Sequence, residues 1–79
     1  MFGDLIRQCR TKSGLSITEL GAQIGKDAST ISRWERGAVC ASAEQTMAAI
    51  AACGIEPQEG VRLISEALML AYCHGEEVP

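Results

Sequence analysis

The chain has no cysteine pair spaced C-x-x-C and only one histidine, so the residue set that a tetrahedral zinc site draws on is missing. Its four cysteines, Cys9, Cys40, Cys53 and Cys73, are scattered, and the start Met-Phe-Gly-Asp carries neither the basic stretch nor the apolar stretch of an export signal. The thiols are therefore expected to be reduced, mostly buried and inert, in a cytoplasmic setting. A redox-sensing alternative rests on Cys73 beside His74, where a cation would lower a thiol pKa. No apolar run approaches the ~20 residues of a membrane span. With one histidine near the chain end, no paired carboxylates in a plausible cleft and too little core for a pocket, the sequence argues against an enzyme, and no cofactor or metal is expected.

Also lacking are a Ser/Gly-rich linker, an internal repeat and any alternating run of β-branched residues, while apolar positions recur at helical spacing. The fold class expected is all-α, as one domain over residues 1–79. Punctuation divides it into five helices. The first runs from about Phe2 to Ser13, with Leu5, Ile6 and Cys9 on one face and Gly14 as its stop. Ser16-Ile17-Thr18-Glu19 is a capping box opening the second, whose buried stripe is Leu20 and Ile24. Asp27 caps a third, Ala28 to Arg36, with Ile31 and Trp34 inward and Gly37 at its end. Ser42-Ala43-Glu44-Gln45 is a second capping box, opening a helix that directs Met47, Ile50, Ala51 and Cys53 to the core before Gly54. Pro57 opens the fifth, to about His74 and Gly75, leaving Glu76 to Pro79 as a frayed tail.

A net charge of −3 disfavours a nucleic-acid partner on its own, but the charge is unevenly placed. Residues 1–37 carry six cations against four anions, +2, and residues 38–79 carry Arg62 against six glutamates, −5. The basic half can meet DNA while the acidic half faces away.

Two short helices joined by a tight glycine turn describe a helix-turn-helix. Gly21 permits close approach of the two helices and Gly25 lets the chain turn, while Leu20, Ile24, Ile31 and Trp34 fill the wedge. Leu15 to Gly37, LSITELGAQIGKDASTISRWERG, resembles the helix-turn-helix of the phage repressor/Cro family, also called the Xre family, most plainly at Ile31 to Gly37. The likeness extends over about residues 2–55. It implies a repressor-like fold of four or five helices and sequence-specific binding of duplex DNA by dimers. It also implies that Arg10 pairs with an acidic residue near the end of the recognition helix, here Glu35. Stand-alone members of this family commonly repress their own small operon in phages and mobile elements, in a bacterial cell or phage-infected host. A Cro-like lysis regulator, a restriction-modification controller, an antitoxin and an anti-CRISPR-associated autorepressor all fit. A second class of function is a protein-interaction module that keeps the helix-turn-helix as scaffold and binds a partner with its acidic half.

Outward positions of the third helix nominate Ala28, Ser29, Thr30, Ser32 and Arg33 as base readers. Arg33 leads, because a guanidinium grips guanine O6 and N7 with two hydrogen bonds, whereas serine hydroxyls donate or accept and so specify less. Asp27 is read as a cap, with acceptance from cytosine N4 as its alternative. Arg7, Arg10, Lys12, Lys26 and Arg36 are the candidate phosphate contacts, and Arg10 with Glu35 is read foremost as a structural pair. Ile17 stands where relatives commonly carry glutamine, Ala28 where a polar reader often sits, and Ala38 to Ala43 lacks the basic residues that many relatives direct at DNA, so fewer phosphate contacts are expected than in the family at large.

The apolar residues from Val61 to Cys73 cover more of the fifth helix than one packed face needs. That excess, and the two half-sites of a palindromic operator, point to a homodimer through residues 57–75, with Val61, Ile64, Leu68, Leu70, Ala71 and Tyr72 at the interface.

Overall fold

The computed structural model describes the backbone of residues 2–76 and the side chains of residues 2–70. All regular structure among them is helical, in the order α1 (Gly3–Ser13), α2 (Ile17–Ile24), α3 (Ala28–Arg36), α4 (Ala43–Ala52) and α5 (Pro57–Glu76). Helix α1 packs on α3, α4 and α5; α2 packs on α3 and α4; and α4 packs on α5.

Both capping boxes form. Ser16 Oγ accepts from the Glu19 backbone N–H at 3.0 Å while Glu19 accepts from the Ser16 N–H at 2.8 Å, and Ser42 and Gln45 repeat the arrangement. Asp27 occupies the N-cap position of α3, but its side chain makes no cap bond to the helix backbone. Its carboxylate accepts from the hydroxyls of Ser29 and Thr30 instead.

The core is Phe2, Ile6, Cys9, Leu20, Ile31, Trp34, Ala41, Ala49, Ile50 and Ile64. Trp34 lies inward beside Ile31, as their spacing predicts. In α4 the inward set differs from expectation: Thr46 and Ala49 are buried and Ala51 is exposed. A hydroxyl within the core needs an acceptor, and Thr46 Oγ1 donates to the Ser42 carbonyl at 2.8 Å, one turn back, which satisfies it inside its own helix. Phe2, immediately before α1, is also core, whereas Leu5 is half-buried.

The thiols divide by environment. Cys9 is buried, Cys53 half-buried and Cys40 exposed, so burial is less general than expected, and the side chain of Cys73 lies outside the described residues. Burial pushes the Cys9 and Cys53 thiols above their ordinary range, which keeps both in the unreactive protonated form.

Two glycines set the distances between helices. A Cβ on Gly21 would stand 2.4 Å from the Lys26 carbonyl oxygen, so α2 presses directly on the backbone that leads into α3. A Cβ on Gly3 would stand 2.2 Å from the Trp34 carbonyl oxygen, which brings the start of α1 against the end of α3 by the same means. Between α2 and α3 the turn needs Gly25 at φ 73°, a left-handed conformation that costs a side-chain-bearing residue energy.

Because the atoms facing Gly21 are backbone and cannot swing aside, Gly21→Ala is expected to lower unfolding stability by about 1–3 kcal/mol. Urea denaturation monitored by circular dichroism checks this, and a midpoint equal to the parent's would show that the helices have room to part.

Candidate nucleic-acid interface

The third helix turns Ile31, Trp34 and Glu35 into the molecule. At 100° per residue the opposite arc holds Ser29, Arg33 and Arg36, all exposed, with Ser32 and Thr30 half-buried on its flanks. Ala28 is half-buried and lies about 60° around the helix from Ile31 and about 20° from Glu35, which places it on the inner side of the first turn and off the outer arc. Ile17 packs against the core, consistent with its apolar character. The structure thus brings Ser29 and Arg33 together on one surface with Thr30 and Ser32 at its flanks, and leaves Ala28, expected there from the sequence, beside buried Glu35 instead.

What holds that surface in orientation is Glu35. Its side chain is 2% exposed and takes the Arg10 guanidinium in a two-pronged pair, Nε to Oε2 at 2.6 Å and Nη2 to Oε1 at 3.0 Å. The remaining terminal nitrogen, Nη1, donates to the Leu15 carbonyl at 3.0 Å, tying the same guanidinium to the middle of the α1–α2 connection. Hydrogen bonding to Glu35 holds the Arg10 pKa above its already high value. Arg7 approaches from the neighbouring turn of α1, with Nε 3.4 Å from Oε1 and Nη2 donating to the Glu35 carbonyl oxygen at 3.2 Å.

These bonds revise the phosphate set. Arg10 is 17% exposed along its side chain and each of its nitrogens has a protein acceptor, so it serves α3 rather than a phosphate. Arg7 is half exposed but two of its nitrogens are engaged by Glu35. Lys12 is exposed and lies about 160° around α1 from Arg10, away from Glu35; Glu59 of α5, held below its usual range chiefly by its bonds to Arg62, also feels the Lys12 charge. Lys26, in the turn before α3, and Arg36, on the outer arc, remain exposed. Arg7 is the partner of Glu35 that sequence reasoning missed; its spacing of three residues from Arg10 was the available signal, since residues three apart share a helix face.

Along α5, Ile64 is 7% exposed and belongs to the chain's own core, which removes it from the surface expected to be offered to a partner. Leu68 is half-buried against that core as well. Val61, Met69 and Leu70 are 56%, 66% and 62% exposed. Glu59, Arg62 and Glu66 form a salt-bridged row between the two edges that carry Val61 and Leu70. Ala71 and Tyr72 lie outside the residues whose side chains are described. No helix among the described residues is long and apolar enough to cross a membrane.

The helix-turn-helix domain family matches residues 1–63, from α1 into the first turns of α5, and the chain belongs to that family. Neither the curated proteins nor the solved structures gave a match. A helix-turn-helix domain of this kind is a DNA-binding module, and α2 and α3 are the two helices of its motif.

Truncating Glu35 to alanine leaves Arg10 largely buried without its anion and is expected to cost about 3 kcal/mol or more of stability. The double replacement Arg10→Met with Glu35→Leu should recover much of that loss, because neither charge is then stranded. Denaturation midpoints of the two variants decide the matter; if the double variant is the less stable, the pair contributes attraction beyond orientation.

Proposed function

We propose that the protein is a dimeric transcriptional regulator of the phage repressor/Cro type, binding a palindromic operator and repressing its own small operon, and that it is not an enzyme. The single observation that carries this reading is the outer arc of α3. Ser29, Arg33 and Arg36 stand exposed on one side of a helix whose other side is pinned by Ile31, Trp34 and the Arg10–Glu35 pair. A reading head must be exposed to reach base edges and rigid to discriminate among them, and α3 meets both needs.

Roles divide by chemistry. Arg33 reads a guanine through two parallel hydrogen bonds, while Lys26 and Arg36 meet phosphates and fix register. With so few cations left for phosphates, base contacts carry an unusually large share of binding, in keeping with the net charge of −3. Dimerisation follows from the exposed apolar side chains of α5, because duplex half-sites repeat every helical turn and one protomer of this size reads only one of them.

Arg33→Ala is expected to cost roughly 1–3 kcal/mol per subunit at the operator and to relax preference at one guanine in each half-site. Arg36→Ala and Lys26→Ala should weaken all sequences alike and reduce the salt slope by about one unit each. Footprinting on the chain's own upstream region should show half-site centres ~10 base pairs apart or a multiple of that. If no duplex outcompetes random DNA, the protein-interaction module replaces this function.

Light scattering tests assembly separately. Leu70→Glu, at an exposed position that leaves the protomer core intact, should convert a dimer to a monomer at about tens of micromolar. A parent chain that is already monomeric there excludes the α5 interface.

A further inference from the structure

A serine hydroxyl free to rotate offers one donor and two acceptor sites, so it accepts many bases and selects among few. Ser29 is not in that situation. Its Oγ lies 3.2 Å from Asp27 Oδ2, and Thr30 Oγ1 lies 3.3 Å from Asp27 Oδ1, so each carboxylate oxygen receives one hydroxyl. An ionised carboxylate has no proton to give, which fixes the direction of both bonds: the hydroxyls donate. Ionisation itself is favoured, since the Asp27 backbone N–H, the two hydroxyls and the nearby Arg33 charge hold this carboxyl below its usual range.

With its proton directed at Asp27, the Ser29 hydroxyl has only lone pairs left to present. Ser29 is exposed on the same outer arc as Arg33, whereas Thr30 is half-buried at its flank, so Ser29 is the hydroxyl that faces a base edge. In the major groove the donors available to an acceptor are cytosine N4–H and adenine N6–H, while guanine and thymine present O6, N7 and O4 acceptors at the corresponding edges. Turning the Ser29 proton toward one of those acceptors would give up its bond to an ionised carboxylate, long at 3.2 Å, to form one to a neutral group.

We propose that Asp27 is a specificity-determining residue that acts through Ser29, setting its polarity so that each half-site carries cytosine or adenine on the strand facing Ser29, at a position separate from the guanine read by Arg33. This rests on the operator-binding function proposed above. It assigns to Asp27 a positioning role in base selection beyond that of a helix cap.

Selection of operators from a pool of randomised duplexes, with the full chain, tests it. The parent, Asp27→Ala, Ser29→Ala and the double variant are compared, and Asp27→Gly, which helix starts tolerate, stands in if the alanine variant loses its helical signal. The parent should enrich cytosine or adenine at one position per half-site. Asp27→Ala should lower that preference about three- to tenfold, the worth of one neutral hydrogen bond, and admit guanine or thymine there, because the freed hydroxyl now donates as well. Ser29→Ala should abolish the preference, and adding Asp27→Ala to it should change nothing further at that position. An unchanged preference in Asp27→Ala overturns the inference and leaves the operator-binding function standing. A shift of equal size in the Ser29→Ala background also overturns it, since Asp27 would then be reading the base directly. Failure of the parent to enrich any sequence overturns the operator-binding function and this inference with it.

Discussion

The buried carboxylate of Glu35 is the constraint on which the arrangement of the molecule turns. A carboxylate at 2% exposure is tolerated only with its charge matched and its lone pairs occupied, and α1 supplies both through Arg10 and Arg7. The pair is not the main source of stability. Burying Ile6, Leu20, Ile31 and Ile50 contributes about 1.5–3 kcal/mol each, whereas a desolvated ion pair gains little over a well-packed apolar one. What the pair adds is direction: α3 can rotate only by breaking a two-pronged bond, so Ser29, Arg33 and Arg36 stay outward. The glycine contacts at Gly3 and Gly21 complete the frame by setting how closely α1 and α2 approach the backbone at either end of α3.

That frame uses charges that would otherwise be free to meet DNA. Of the cations in the basic half, Arg10 and much of Arg7 are committed to Glu35. Under the operator-binding function proposed above, a small electrostatic footprint lowers affinity for arbitrary sequences along with affinity for the operator, and discrimination then rests on the few groups that touch bases. The ordered hydroxyls around Asp27 acquire weight in that setting, because a reader with few contacts gains most from each contact having one polarity.

Helix α5 shows the opposite division of labour. Its inward residues, Ile64 with Leu63, Ala67 and Leu68, close the core of the chain, and its salt-bridged row of Glu59, Arg62 and Glu66 is a solvated face. Val61, Met69 and Leu70 are left without an intramolecular role among the described residues. Over the described residues 57–70 the exposed apolar side chains are thus interrupted by a charged row, which a partner surface built on them must straddle or flank.

Much of this was legible in the amino-acid sequence because it depends on local chemistry. The five helices, both capping boxes, the turn at Gly25 and the inward pair Ile31 and Trp34 follow from spacing and from the bonds that short polar side chains make to nearby backbone. The resemblance over Leu15 to Gly37 and the family match to residues 1–63 agree on the helix-turn-helix. What tertiary structure alone decided is which of several equivalent-looking groups found a partner across elements. Arg7, Arg10 and Lys12 are all cations on α1, yet only the first two lie where a buried carboxylate from α3 can claim them. Ile64 and Leu70 are both apolar residues of α5, but packing against the other helices buries the first and leaves the second exposed. Side-chain periodicity states what a residue is able to pair with; the distance between helices, fixed here by glycines and a shared carboxylate, decides what it does pair with.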